Sequence, residues 1–135
     1  MKTVLAVDDE APVLRVICEA LERRGYRVIG TTQPAEAPLL LDAHKTDLLI
    51  LDCMMPLKSG LEIFDELKRK GVALPVLFAT GYPDMFSLHT EPNLVRWKEH
   101  MMDGLTDLIY KPFGPDALCA KVEGLIGPPE EDPTT

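Results

Sequence analysis

At 135 residues, with 46% apolar and 27% charged residues, the chain is sized for one domain with a full hydrophobic core. A formal net charge of −8 speaks against direct binding of nucleic acid, whose phosphates call for clustered Lys and Arg. No apolar run approaches membrane-spanning length, so no membrane contact is expected.

Thr3–Val7, TVLAV, is a short apolar run that reads as a first strand and stops at Asp8-Asp9-Glu10. Pro12 suits a first helical turn, Val13, Ile17, Ala20 and Leu21 recur at helical spacing, and Gly25 is a natural stop. Tyr26–Gly30 is a second strand. A second helix falls within Pro34–His44; Pro38 lacks an N–H, so the helix either begins near it or is kinked there. Asp47–Pro56, DLLILDCMMP, organises the rest: Leu48 to Leu51 suit a strand buried on both faces, and Asp52 is its first polar side chain.

Ser59 and Glu62 form a capping-box pattern that opens a third helix, with Leu61, Phe64 and Leu67 on one face and Gly71 closing it. Pro75–Ala79 is a fourth strand, ending at Thr80-Gly81. Tyr82–Glu91 has no clear period; Pro92 then starts a helix marked by Leu94, Trp97, Met101 and Met102, up to Gly104. Thr106–Tyr110 is a fifth strand running into Lys111-Pro112, and Leu118, Val122, Leu125 and Ile126 mark the last helix. Residues 127–135, GPPEEDPTT, read as a flexible acidic tail on a domain of residues 1–126. Alternating strands and helices predict an α/β fold: a flavodoxin-like, doubly wound five-stranded parallel sheet, order 2-1-3-4-5, with helices on both faces.

In that order strands 1 and 3 are neighbours, so Asp8, Asp9 and Asp52 crowd one crevice at the strand C-termini, joined by Thr80 and Lys111. Taken singly, each has an ordinary reading: a turn or N-cap aspartate, a hydroxyl-capped turn, a solvated lysine. Glu10 reads as a helix-start or solvent-facing residue. Together they describe a site. Three carboxylates repel unless a cation or a proton relieves them, and Mg²⁺ is the obvious hard ion for oxygen ligands. An ammonium and a hydroxyl beside Asp52 then suit a phosphoryl group, with Asp52 as the nucleophile. Met1–Val7 is no signal peptide, and Cys18, Cys53 and Cys119 lack zinc-ligand spacing, so reduced thiols in the cytoplasm are expected. Cys53 adjoins Asp52 but carries no sequence sign of a lowered pKa.

VDDE (Val7–Glu10), LDCMMPLKSG (Leu51–Gly60), ATG (Ala79–Gly81) and YKPF (Tyr110–Phe113) together make the chain resemble the receiver domain of bacterial two-component response regulators. The resemblance implies that Asp52 is phosphorylated by a histidine kinase or histidine phosphotransfer protein, switching binding to a downstream protein target. It implies Mg²⁺ bound by Asp9, Asp52 and the Met54 backbone carbonyl, with Asp8 acting largely through water. Thr80 and Lys111 would contact the phosphoryl group, and Lys111–Pro112 would be cis. Such a domain is no enzyme beyond its own phosphorylation and dephosphorylation.

Two departures stand out. Leu108 occupies the position, three before the lysine, where family members often carry an aromatic switch; here the aromatic is Tyr110. Thr80 and Lys111 lie 31 residues apart, longer than expected by roughly two helical turns. The signal is therefore expected to leave through Gly81–Gly104. Replacing Lys111 by alanine is expected to spare the fold and, if the lysine is partly desolvated, to raise stability slightly. The leading reading is a stand-alone receiver; the alternative is an excised N-terminal receiver of a longer regulator with a DNA-binding or enzymatic output domain. A Mg²⁺-dependent phosphatase would need an acid/base carboxylate two residues after Asp52, where Met54 stands. A phosphorylation-independent scaffold would leave the acidic residues, Thr80 and Lys111 without a purpose.

Overall fold

The five apolar runs become five parallel strands: β1 (Thr3–Val7), β2 (Arg27–Thr31), β3 (Leu48–Asp52), β4 (Val76–Thr80) and β5 (Thr106–Tyr110). The computed structural model describes residues 1–53, 60–81 and 105–129. The sheet order is β2-β1-β3-β4-β5, as expected from the sequence. Every residue of β1 and β3 is buried, which is why these strands read as unbroken apolar runs rather than alternating ones. Helices α1 (Ala11–Arg24), α2 (Ala37–Ala43), α3 (Gly60–Arg69) and α4 (Pro115–Ile126) cover the two faces.

The pleat divides the core in two. Val4, Ala6, Leu48, Ile50, Leu77 and Ala79 meet Ile17 and Leu21 of α1 and Leu118 and Val122 of α4. Their neighbours Leu5, Val7, Leu49, Leu51, Val76 and Phe78 face the other way, onto Ala37 of α2 and Ile63, Phe64 and Leu67 of α3. Phe64 meets Phe78 edge-on, ring centroids 5.3 Å apart.

Local differences from the sequence reading have local causes. β2 starts at Arg27 rather than Tyr26, because Tyr26 completes the end of α1. Gly25, at φ 103°, donates to Glu22 O, and Tyr26 N donates to Leu21 O, the paired bonds of a Schellman stop. Gly71 and Val72 repeat the device on Lys68 and Leu67. β4 starts at Val76, since Pro75 has no N–H to give the ladder, and it includes Thr80. Of the two alternatives at Pro38, a helix that begins near it and a helix kinked there, the first holds. Pro34–Glu36 makes a 3-10 turn, and α2 begins at Ala37 with Pro38 in its first turn, where no N–H is missed. Lys111–Pro112 is cis.

The first residues of the stretch expected to form a tail are tied down. Pro129 O accepts from Lys2 N at 3.0 Å, and Gly127 O from the Tyr26 hydroxyl at 2.7 Å. Ser59 of the capping box, the helix expected from Pro92 to Gly104, and residues 130–135 lie outside the described residues. No described helix is long and apolar enough to cross a membrane.

Candidate functional site

Three strand ends carry the charged side chains that the sequence singles out. Asp8 follows β1, Asp52 ends β3, and Lys111 follows β5; β1 and β3 are neighbours and β5 lies one strand beyond β4, and because all the strands are parallel their ends meet at one edge of the sheet. Asp8, Asp9 and Asp52 each place a carboxylate oxygen in a group spanning no more than 4.8 Å. Asp8 is 1% exposed and Asp52 4% exposed, so water does little to relieve their repulsion. The Lys111 ammonium lies 2.9 Å from Asp8 Oδ2 and 3.2 Å from Asp52 Oδ2. Burial alone would lower the pKa of this lysine; the close pairing with Asp8 and the charge of Asp52 outweigh it and hold the pKa above the ordinary lysine value.

The backbone holds these groups in place from several sides. Asp8 N donates to Thr31 O on β2 at 3.2 Å, while Asp8 Oδ1 accepts from Glu10 N at 2.9 Å. Cys53 N donates to Ala79 O at 2.9 Å, pinning the end of β3 against β4. Gly60, the first residue of α3, sits against the Asp52 carbonyl so closely that a Cβ there would fall 2.4 Å from the oxygen.

The site admits a metal on its own chemistry. Asp9 Oδ1 is buried and accepts no hydrogen bond among the described residues, and it stands beside two further carboxylates, with the Lys111 ammonium the one cation that the described residues bring to them. Clustered hard oxygen donors with an unbalanced negative charge fit a small divalent cation such as Mg²⁺. Thr80 is the last residue of β4, opposite Tyr110 in the register; its side chain, like Met54, lies outside the described residues.

Glu10 shows the limit of sequence reasoning. It occupies the N-cap position of α1 and is largely exposed, as expected, yet its Oε2 lies 3.4 Å from the Lys111 ammonium. Nothing in a helix-start position tells which way a long side chain turns. Beside the carboxylates opens a cavity of about 640 Å³, walled by Val13 and Val16 of α1 and by Pro112 and Phe113 after β5. Leu108 is half-buried and packs with the α2/α3 side of the core, so it fills space, while Tyr110 is 48% exposed.

Cys53 is the residue beside Asp52 that the pleat turns inward, and it is fully buried. Burial, then the charge of Asp52, pushes its thiol up to about 12 from 9.0, so it is no nucleophile at neutral pH. The stability it contributes is therefore complete below the unfolded-state value. It is lost as pH rises through the folded-state value, because the unfolded chain gives up that proton first. Stability should fall from about pH 9 upward, and Cys53→Ala should fall less steeply over the same window. Urea titrations of both proteins across that window measure the difference; parallel curves would remove Cys53 as the cause.

A parallel five-stranded sheet with acidic groups after β1 and β3 and a lysine after β5 defines a class of signalling domain, and the comparisons agree. Residues 4–123 match the family described as response regulator receiver domain, and the chain belongs to that family. It is thus a receiver domain of two-component signal transduction, a phosphoacceptor module rather than an enzyme of the ordinary kind; receiver domains bind Mg²⁺ at an acidic pocket and interact with histidine kinases or phosphotransfer proteins.

Phosphate regulon transcriptional regulatory protein PhoB of Pseudomonas aeruginosa is 35% identical over 127 residues, which cover 93% of this chain and 52% of that protein. Alkaline phosphatase synthesis transcriptional regulatory protein PhoP of Bacillus subtilis is 30% identical over 125 residues, covering 93% and 48% respectively. The chain spans about half the length of these curated relatives. Among solved structures, chemotaxis protein CheY4 of Vibrio cholerae superposes with a TM-score of 0.74 at 26% identity, covering 93% of this chain and 98% of that one.

Proposed function

We propose that this receiver is switched by phosphorylation of Asp52. The observation that carries the reading is the Asp52 carboxylate at the end of a buried central strand, with the Lys111 ammonium 3.2 Å away and the Asp8 and Asp9 carboxylates beside it. An Asp52 oxygen attacks the phosphorus of a phosphohistidine donor. The new O–P bond forms as the P–N bond breaks, and the imidazole leaves with the electron pair and is reprotonated from solvent. Asp52 is left as an acyl phosphate.

Lys111 exchanges its contact with the carboxylate for one with a phosphoryl oxygen, where its fixed charge meets the charge that arrives. The Thr80 hydroxyl takes a second phosphoryl oxygen. A bound Mg²⁺, held by Asp9, Asp52 and the Met54 carbonyl with Asp8 acting through water, would supply positive charge to the phosphoryl oxygens. The cavity between α1 and Pro112-Phe113 gives a histidine kinase or phosphotransfer protein room to bring its imidazole to Asp52, and the phosphorylated form then binds a downstream protein in the cytoplasm. The domain catalyses only its own phosphorylation and dephosphorylation. The partner-facing segment is Gly81–Gly104, most of which lies outside the described residues.

A second reading rests on length: relatives named as transcriptional regulators are about twice as long, so the chain is also consistent with the receiver part of a longer regulator with an output domain. Sequencing the whole gene separates the two.

Incubation with acetyl phosphate and Mg²⁺ should add one phosphate by mass, and Asp52→Asn or removal of Mg²⁺ should abolish the addition. Undiminished labelling of Asp52→Asn would place the acceptor elsewhere.

A further inference from the structure

Glu10 stands at the N-cap position of α1 but does not cap it: its side chain makes no hydrogen bond to the first turn. Serine, threonine, asparagine and aspartate serve best at that position, so helix capping does not account for a glutamate there. Its backbone is held at both ends, the N–H donating to Asp8 Oδ1 at 2.9 Å and the carbonyl accepting from Leu14 N at 3.0 Å. The side chain lies along the cavity wall and turns to Lys111, with Oε2 3.4 Å from the ammonium. Lys111 thus has three carboxylates about it: Asp8 at 2.9 Å, Asp52 at 3.2 Å and Glu10 at 3.4 Å. The first two are buried, while the Glu10 side chain is 59% exposed.

We propose that Glu10 is a positioning residue for Lys111 that keeps the carboxylate group open to a divalent cation, an inference that rests on Asp52 and its neighbours being the phosphoacceptor site. Asp8 and Asp52 belong to the group that fits such a cation, and they are also the two nearest partners of the ammonium. Ammonium and metal therefore compete for the same negative charge. Glu10 pulls the ammonium from the solvent side, away from the two buried oxygens. Without that pull Lys111 settles on Asp8 and Asp52 and leaves them closer to neutral, a poorer host for a hard cation. With it, the ammonium keeps a partner at the cavity mouth when a metal enters, where an arriving phosphoryl group meets it. The pair is partly open to solvent and salt, so the pull is modest and biases the balance without setting it.

The test is Mg²⁺ binding by the full chain, followed through the amide NMR signals of Asp8, Asp9 and Cys53, with no phosphoryl transfer needed. Glu10→Gln should weaken binding about two- to fivefold, the range that one exposed pair supplies. Glu10→Asp keeps the charge and is the better N-cap, but it is one methylene shorter and falls short of Lys111; it should lose about as much as the glutamine. In Lys111→Ala there is no ammonium to position, so adding Glu10→Gln should leave the affinity where Lys111→Ala alone puts it. Should the lysine variants fold too poorly to titrate, the Glu10→Asp comparison decides alone. Parent-like affinity in Glu10→Gln or in Glu10→Asp would overturn the proposal, the latter by showing that charge without contact suffices. So would an equal loss with and without Lys111. A parent that does not respond to Mg²⁺ would remove the metal site and this inference with it. A parent that responds and takes up phosphate on Asp52, with Glu10 variants that match it, would remove the inference alone.

Discussion

Gly60→Ala should destabilise the domain by about 2–3 kcal/mol and slow phosphorylation of Asp52, although alanine is the better helix former. Gly60 opens α3 without a positive φ, so its backbone would accept a side chain. On propensity alone the change would gain up to about 1 kcal/mol. The obstacle is contact: the new Cβ would stand 2.4 Å from Asp52 O, 3.1 Å from Asp52 C and 3.3 Å from Leu51 Cβ. Two of those atoms are backbone of a strand fully buried between two layers of core, so neither can swing aside. Either α3 retreats or the end of β3 shifts, and a shift of β3 carries the Asp52 carboxylate with it. Misplacement by a fraction of an ångström is enough to cost about tenfold or more in a transfer that depends on alignment. Urea denaturation and the rate of labelling by acetyl phosphate measure the two effects. A variant as stable as the parent would mean that the helix start is not held against Asp52.

Lys111→Ala should lower stability by about 2–4 kcal/mol in the absence of metal. This reverses the slight gain expected from the sequence, which considered the desolvation of the lysine without its neighbours. The ammonium is within 3.4 Å of Asp8, Glu10 and Asp52, two of them buried, and its removal leaves those carboxylates facing each other and Asp9. Breaking a buried pair from one side is costly for that reason. Asp52→Asn should move stability the other way, because it removes one of the charges in excess. Millimolar Mg²⁺ should recover part of the Lys111→Ala loss, since a cation that binds only the folded state stabilises it. Thermal melts of the three proteins with and without Mg²⁺ decide the matter; a more stable Lys111→Ala would show that desolvation of the ammonium dominates after all.

The strands were legible because β1 and β3 are buried on both faces, so TVLAV and LLILD stand out as apolar runs with a polar residue at the exit. That made Asp8, Asp52 and Lys111 locatable before any contact was known, since each sits within a residue of a strand end. Boundaries were less legible where a neighbouring element claims a residue: Tyr26 belongs to the end of α1 by its hydrogen bond to Leu21 O, not to β2. The pairing of Glu10 with Lys111 and the pressing of Gly60 on Asp52 O escaped altogether: the first joins the exits of β1 and β5, and the second is a contact between the end of β3 and the start of α3 that no periodicity reveals. A glycine eight residues after Asp52, with Met54, Met55 and Pro56 between, gives a turn signal, with no sign of what it touches.

One consequence of the divided core concerns error tolerance. Asp52 and Cys53 are adjacent and face opposite sides of the sheet; one presents a carboxylate to Lys111, the other a sealed thiol. Sliding β3 by a single residue would exchange them and leave the edge with sulfur where it needs oxygen. The apolar run Leu48–Leu51 does little to forbid the slip, for both faces are greasy and either registration would bury four large aliphatic groups. Fidelity must come from the polar ends: Asp47 clasping Thr3 through both its N–H and its carboxylate, Cys53 N on Ala79 O, and the Asp52 carbonyl lodged against Gly60. The oily middle of the strand supplies adhesion, and its two ends keep the reading frame.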